Sequence, residues 1–134
     1  MVSVAIFDYG AGNIFSLKNS LEQAGASVDV ITSFDKPNVY SGLLLPGVGN
    51  FDPAIKSINE NSKTKFHDFV KEDTPVLGIC LGMEMFFEKS EEGIEKGFNV
   101  IDGEIVVLPS TMKVPHMGWN NLEIKKPGII LEDV

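Results

Sequence analysis

Apolar residues in the first part of the chain form short continuous runs that alternate with stretches of helical spacing. The runs predict four β-strands, at residues 2–8, 28–31, 43–45 and 75–79, of which the first is expected to be central in the sheet and the fourth buried. The three- and four-residue spacings predict helices at residues 14–24, 51–58 and 64–72. Asn13 and Gly25 suit the N-cap and the C′ position of the first helix. This alternation predicts a largely parallel sheet with right-handed crossovers.

The pattern changes after residue 98, where helical spacing is lost. Short apolar stretches there predict strands joined by turns, at residues 100–101, 105–108 and 122–124. Asp102 and Gly103 form one of the expected turns. The last residues, 128–134, have the composition of part of a further strand. We find no internal repeat and no low-complexity segment in the sequence.

Bulk composition narrows the class of protein without indicating its activity. A length of 134 residues predicts one domain, and 43% hydrophobic with 22% charged residues is ordinary for a globular protein. The net charge of −8 argues against binding nucleic acid. No apolar run is long enough to span a membrane, and the N-terminus lacks signal-peptide features. One cysteine and two histidines suggest a reducing cytoplasm and no metal or other cofactor.

The only cysteine lies where the fourth predicted strand ends, in the sequence Gly78-Ile79-Cys80-Leu81-Gly82. Residues 83–88 predict a helix directly after it. A nucleophile on a tight strand-to-helix turn, flanked by glycines, is the nucleophile-elbow pattern with cysteine in place of serine. The helix N-terminus would favour the thiolate, which is the reactive form. The alternative is a buried structural cysteine, because free cysteine is among the most buried residue types.

A glycine-rich loop, Pro46-Gly47-Val48-Gly49, follows the third predicted strand. Ligands of open α/β sheets bind beyond the carboxyl ends of the strands, so this loop and Cys80 can meet at one site. Glycine-rich backbone can turn its N–H groups toward an oxyanion, although a plain connecting loop is the simpler interpretation. The glycines at positions 10 and 12 do not complete a dinucleotide-binding motif, because Phe15 stands where the third glycine would be.

The two histidines have different surroundings. His67 lies on a predicted helix and is expected at the surface. His116 belongs to the segment Pro115-His116-Met117-Gly118-Trp119-Asn120. That segment is either a core strand with Trp119 packed inward or a partner-binding surface, since Trp and Met are enriched at interface centres. His116 as the base for Cys80 is a third possibility that spacing alone leaves open.

Four motifs in order along the chain resemble one family. They are Asp8-Tyr9-Gly10-Ala11-Gly12-Asn13, the loop 46–49, the elbow 78–83 and the segment 115–120. Together they resemble the class I glutamine amidotransferase subunit of imidazole glycerol phosphate synthase. The resemblance implies a flavodoxin-like α/β fold with a mixed central sheet. It also implies hydrolysis of glutamine to glutamate and ammonia, with ammonia passed to a (β/α)8 barrel cyclase subunit in histidine biosynthesis, as a cytoplasmic heterodimer.

The resemblance also implies roles for individual residues. Cys80 would be the nucleophile, and the oxyanion hole would be formed by backbone groups of Gly47, Val48 and Leu81. Glutamine would be held by Gly49, Gly82 and Glu84. The residues facing the cyclase would be Asn13, His116, Met117, Trp119 and Asn120.

Two departures from the family pattern change what is expected of this chain. The family's His-Pro-Glu motif, which supplies the general base, is missing, so residues 1–134 resemble one amidotransferase domain without its C-terminal part and are expected to be inactive alone. Position 84 is Glu where the family has Gln. A noncatalytic module that only binds the cyclase is therefore an alternative. A different cysteine-dependent α/β hydrolase is a third interpretation, against which the segment 115–119 argues.

Overall fold

The computed structural model describes residues 1–36 and 39–131. Its main strands are β1 (Ser3–Phe7), β2 (Ser27–Ile31), β3 (Gly42–Leu45) and β4 (Val76–Gly78). Its helices are α1 (Ile14–Gln23), α2 (Phe51–Ser57), α3 (Glu60–Lys71) and α4 (Leu81–Glu84). A small second pair consists of β5 (Lys89–Ser90) and β6 (Glu104–Ile105), and a 3-10 turn covers Ile129–Leu131. The main elements confirm the presence of the four strands and the first three helices predicted from the sequence. The prediction that the fourth strand is buried is wrong, because Leu77 is 44% exposed.

The four main strands form one parallel sheet in the order β2-β1-β3-β4. Ile6 is level with Leu44, and Leu45 is level with Gly78. This register places the carboxyl ends of β1, β3 and β4 side by side at one edge of the sheet. The loops that follow these strands therefore meet there, as an open α/β sheet requires of its ligand site.

Neighbouring residues of each strand point to opposite sides of the sheet, so apolar residues lie on both faces. The face toward α1 is covered over β1 and β3 but not over β4, where Leu77 is 44% exposed. Ile6, Val28 and Leu44 are buried on the face covered by apolar residues of α1. The larger core lies on the other face, beneath α2, α3 and α4. Aromatic rings link its parts: Phe7 and Phe34 have ring centroids 4.0 Å apart, and Phe66 and Phe98 have centroids 4.2 Å apart.

The termini of α1 confirm both predicted caps. The side chain of Asn13 accepts a hydrogen bond from the backbone N–H of Ser16 at 3.1 Å. Ala24 is the C-cap, and Gly25 follows it with φ of +90°. Glycine adopts that left-handed conformation without the steric cost that a side chain would add.

The helix predicted over 83–88 is wrong in its extent, because α4 ends at Glu84. Backbone carbonyls just beyond it accept hydrogen bonds from a later segment instead of from the next helical turn. Phe98 donates its N–H to the carbonyl of Met85 at 2.7 Å, and Val100 donates to that of Phe86 at 2.8 Å. These long-range bonds satisfy the carbonyls and end the helix after one turn.

The prediction of several strands after residue 98 is largely wrong. Only Glu104–Ile105 pairs there, and residues 100–101, 106–108 and 122–124 are not strands. Of the final predicted strand, 129–131 is a 3-10 turn and 132–134 lie outside the described residues. All strand pairs of the described residues are parallel, so the antiparallel part of the expected mixed sheet is not among them. An apolar stretch forms a strand only where another strand offers its hydrogen bonds.

No helix within the described ranges has the length and apolar character needed to cross a membrane.

Candidate active site

Cys80 occupies a strained position between β4 and α4. It is the N-cap of α4, with φ of 55° and ψ of −119°, and it is exposed. A non-glycine residue held in this region of backbone space is costly, and such strain concentrates at functional sites. The geometry is that of a nucleophile elbow, and the alternative of a buried structural cysteine is wrong.

The flanking glycines are required because backbone from other segments passes too close for a side chain. A Cβ at Gly78 would lie 2.5 Å from the Cα of Met83. A Cβ at Gly82 would lie 2.6 Å from the carbonyl carbon of Leu45 and would overlap its oxygen. The same Leu45 carbonyl accepts the N–H of Ile79 at 2.9 Å. The end of β3 therefore touches the elbow on both sides of Cys80.

The loop after β3 packs equally closely against the elbow. A Cβ at Gly47 would lie 2.9 Å from the backbone nitrogen of Gly82 and 2.9 Å from the Cβ of Leu81. Val48 follows with an exposed side chain. Gly49 has φ of +112° and open space around its Cβ position, a backbone conformation that glycine adopts without steric cost. The structure thus brings the predicted loop and the predicted nucleophile together.

A pocket of about 300 Å³ lies where these segments meet. Cys80, Gly47 and Val48 line it, and the start of α1 contributes Asn13 to its opposite wall. The remaining lining residues come from the same three segments: Gly12, Ser16, Leu17, Ser20, Pro46 and Ile79. Asn13, which the resemblance places at the partner surface, thus also reaches the nucleophile's pocket.

The predicted glutamine-holding residues do not line this pocket. Gly82 is buried against Leu45, and Glu84 lies one helical turn beyond Cys80. The Oε2 atom of Glu84 is buried and has no hydrogen-bond partner in the described structure. Burial, followed by the negative charge of Glu92, raises the pKa of the Glu84 carboxyl. An ionised carboxylate there is unfavourable, because no cation or donor compensates its lost hydration.

Tyr9 belongs to one of the sequence motifs, but the sequence predicted no role for its side chain. It is buried at the end of β1, and its hydroxyl donates to the carbonyl of Pro46 at 2.8 Å. Burial, then the charges of Cys80 and Glu84, raises the pKa of Tyr9 to about 12. The two bonded residues are 37 positions apart, so no local pattern could have indicated the contact.

The segment around His116 is exposed. Trp119 is 104% exposed and Met117 is 84% exposed, so the interpretation of a core strand with an inward Trp is wrong. The Nδ2 of Asn120 lies 3.4 Å from the Nε2 of His116. Neither histidine lines the pocket of Cys80; His67 lies on α3, at a separate pocket of about 560 Å³.

Comparison with known protein families identifies the class of enzyme that has this site. Residues 5–131 match the family described as glutamine amidotransferase class-I. The chain belongs to this family. Its exposed Cys80 elbow and adjacent glycine loop occupy the matched region.

The most similar relatives include imidazole glycerol phosphate synthase subunits named HisH from three organisms. The Cyanophora paradoxa protein is 37% identical over 98% of this chain, and the Halalkalibacterium halodurans protein is 43% identical over 93%. The Archaeoglobus fulgidus protein is 41% identical over 98% of this chain. The chain spans 63%, 62% and 66% of their respective lengths.

Among solved structures, a Thermoplasma acidophilum protein assigned to GMP synthase superposes with a TM-score of 0.52. The match covers 66% of this chain and 44% of that protein, with 19% identity. At this identity the likeness supports the amidotransferase α/β fold alone.

Proposed function

We propose that this chain is the glutaminase portion of an imidazole glycerol phosphate synthase, with Cys80 as its nucleophile. The observation that carries the proposal is the strained, exposed position of Cys80 beside the Gly47–Val48 backbone. Membership of the class-I amidotransferase family supplies the reaction class. The HisH relatives supply the specific assignment.

In the proposed reaction, the Cys80 thiolate attacks the carboxamide carbon of glutamine. Backbone N–H groups of Gly47, Val48 and Leu81 would stabilise the oxyanion of the tetrahedral intermediate. Breaking the carbon–nitrogen bond then releases ammonia, once the leaving nitrogen has taken a proton, and leaves a glutamyl thioester. Water hydrolyses the thioester to glutamate and frees the thiol.

Gly49, Gly82 and Glu84 are proposed to hold the glutamine from beside the pocket of Cys80, which none of the three lines. The support is weakest for Glu84, because a carboxylate cannot donate a hydrogen bond to the substrate carboxylate. Its buried, unpartnered Oε2 could instead accept from the α-ammonium group. A neutral amide at this position would serve both substrate groups.

The released ammonia is proposed to pass to a cyclase subunit with a (β/α)8 barrel fold. Asn13 and the exposed residues His116, Met117, Trp119 and Asn120 would face that subunit in a heterodimer. Because Asn13 also lines the pocket of Cys80, the nucleophile would lie close to the interface. A catalytic thiol must stay reduced, so we place the complex in the cytoplasm.

Covalent labelling tests the assignment of the nucleophile. The folded chain is treated with an L-glutamine chloroketone, and the adduct is mapped by peptide mass spectrometry. We expect modification of Cys80 that excess L-glutamine suppresses. The D-enantiomer and the urea-unfolded chain are matched controls and should lack this protection. Equal labelling by both enantiomers would contradict a glutamine site at Cys80.

A noncatalytic module that only binds the cyclase is the second candidate. The observation that favours it is that neither histidine lines the pocket of Cys80. The two candidates differ in the labelling experiment, because a module that hydrolyses nothing needs no glutamine protection. Binding to the cyclase with no enantiomer preference at Cys80 would support this second candidate.

A further inference from the structure

Tyr9 connects the three segments that form the site. The residue follows β1, its hydroxyl bonds to the loop after β3, and that loop touches the elbow after β4. We infer that Tyr9 is a positioning residue that holds the Pro46–Val48 backbone against the Cys80 elbow for acyl transfer. The inference rests on the proposed function, and it concerns a residue that makes no contact with the reacting atoms.

The hydroxyl is in direct contact with the loop at two points. It donates to the carbonyl of Pro46 at 2.8 Å, and a Cβ placed on Gly47 would overlap the hydroxyl oxygen. The same Cβ position would lie 2.9 Å from the Cβ of Leu81 and 2.9 Å from the backbone nitrogen of Gly82, so the hydroxyl and the first turn of α4 pack together against one point of the loop. Loss of the hydroxyl would remove the hydrogen bond to the loop at the point where the loop packs against the elbow.

The ring of Tyr9 is itself fixed by packing. Tyr9 is 8% exposed, and its ring lies 5.8 Å from that of Phe7, centroid to centroid, in a stacked arrangement. Phe7 in turn packs against Phe34 in the main core. The hydroxyl is thus anchored to the rigid part of the domain, which is what a positioning group needs.

The environment also keeps the hydroxyl protonated. Burial and the nearby charges of Cys80 and Glu84 raise the pKa of Tyr9 to about 12, so the hydroxyl remains a donor throughout the neutral range. A donor that never ionises during turnover gives the loop one geometry. Preorganised backbone N–H groups are worth most to an oxyanion when they need no rearrangement.

Two reactions of Cys80 separate loop positioning from thiol reactivity. Acylation by p-nitrophenyl acetate passes through a tetrahedral oxyanion, whereas alkylation by iodoacetamide does not. We expect Tyr9→Phe to slow acylation of the folded chain by about tenfold, less than the loss of a whole oxyanion donor. Alkylation should stay within twofold of the unsubstituted chain.

Tyr40→Phe is the matched control, because it removes the only other tyrosine hydroxyl of the sequence. That hydroxyl donates to Asp29 at 3.1 Å, and Tyr40 does not line the pocket of Cys80. Both rates should be unchanged in that variant. Equal rates of Cys80 acylation in Tyr9→Phe and in the unsubstituted chain would overturn the inference. An equal fall in both reactions would also overturn it, because Tyr9 would then act on the thiol and not on the loop.

A second arm avoids dependence on the folding of Tyr9→Phe. In the Tyr40→Phe chain, the remaining tyrosine is replaced biosynthetically by a difluorinated tyrosine, which has the same shape and a lower pKa. The ratio of the acylation rate to the alkylation rate should fall as the pH rises and this phenol ionises, because a phenolate cannot donate to the Pro46 carbonyl. With ordinary tyrosine the same ratio should not change with pH. A flat ratio in both chains would overturn the inference. Loss of enantiomer selectivity in the chloroketone experiment would instead count against the glutaminase proposal, so the two failures are distinguishable.

Discussion

The domain has two regions that use apolar residues in opposite ways. Residues 3–105 contain all the buried apolar side chains of the described residues, among them Phe51, Phe66 and Phe69, which are 0% exposed. Residues 106–130 leave every side chain exposed. The contrast teaches that the nucleophile is placed by the packed region, whereas the segment 106–130 contributes no buried side chain to that placement.

The division also separates His116 from the nucleophile. Cys80, Gly47 and Tyr9 lie at the ends of three packed strands, whereas His116 lies in the exposed segment. Chemistry that needs positions fixed within about 0.5 Å is served by rigid elements. Recognition of a partner tolerates, and often uses, a segment that becomes ordered on binding.

The largest expected effect concerns turnover by the 134-residue polypeptide itself. Because no histidine lines the pocket of Cys80, we expect glutamine hydrolysis to be slower by at least about 100-fold than with a positioned base. Glutamate release measured over hours, with Cys80→Ser as control, checks this. Ordinary turnover that His116→Ala abolishes would break the comparison, because the exposed segment would then take part in catalysis.

Within the packed region, Gly82→Ala should be severely destabilising. The new Cβ would overlap the Leu45 carbonyl oxygen, and neither backbone can move without disturbing the sheet. We expect a loss of about 3 kcal/mol or more in the free energy of unfolding, measured by urea denaturation. Gly128→Ala is the matched control in the exposed segment, where a Cβ meets nothing within 4 Å, and should change stability by less than about 0.5 kcal/mol. Similar losses in both variants would contradict the division into regions.

In the exposed segment, Trp119→Ala should affect association and not folding. We expect the complex with the cyclase to weaken by about 2 kcal/mol, measured by calorimetric titration, if Trp119 is an interface anchor. The urea midpoint should not move, because the side chain is fully exposed. Ile94→Ala, at a side chain 88% exposed outside the segment, is the control. An unchanged dissociation constant for Trp119→Ala would remove Trp119 from the interface.

The smallest expected effect is that of Glu84→Gln, and it depends on pH. Burial and Glu92 raise the Glu84 pKa in the folded chain above its ordinary value of 4.5. Its contribution to stability is therefore present below pH 4.5 and is lost as the pH rises through the raised pKa. Glu84→Gln should thus stabilise the chain modestly near pH 7, by less than about 1 kcal/mol, and the gain should shrink toward pH 4. A gain independent of pH would exclude the carboxylate as its cause.

Glu84→Gln should also raise the reactivity of Cys80 and tighten glutamine binding. We expect alkylation of Cys80 near neutral pH to become faster, because Glu84 lies one helical turn beyond the thiol and Glu84→Gln removes its carboxyl group. In a chain extended to carry a general base, the Michaelis constant for glutamine should fall. If alkylation and the Michaelis constant both stay the same, Glu84 points away from the substrate.

Sequence reasoning succeeded where local signals determine structure. Asn13 and Gly25 mark both ends of α1 by their own chemistry, and the glycines around Cys80 indicate the tight elbow. It failed where distant segments compete for hydrogen bonds. The segment 98–101 ends α4 by donating hydrogen bonds to the carbonyls of Met85 and Phe86, and nothing near Met85 in the sequence signals this.

The candidate site follows the same rule. The proximity of Cys80 to Gly47 could be predicted, because parallel strands end at one edge of a sheet. The hydrogen bond from Tyr9 to Pro46 could not, because it depends on how three loops pack. The apolar run 105–108 predicted a strand, but only Ile105 pairs with another strand, because pairing requires a neighbour that the run's own sequence cannot supply.

The exposure of Trp119 has a spectroscopic consequence. It is the only tryptophan of the chain, and it lies fully outside the packed core. Its emission should resemble that of free indole, be quenched readily by iodide, and stay nearly constant while urea unfolds the sheet. A blue shift would then report docking of the segment onto another surface. The chain carries an optical probe that distinguishes association from folding without any added dye.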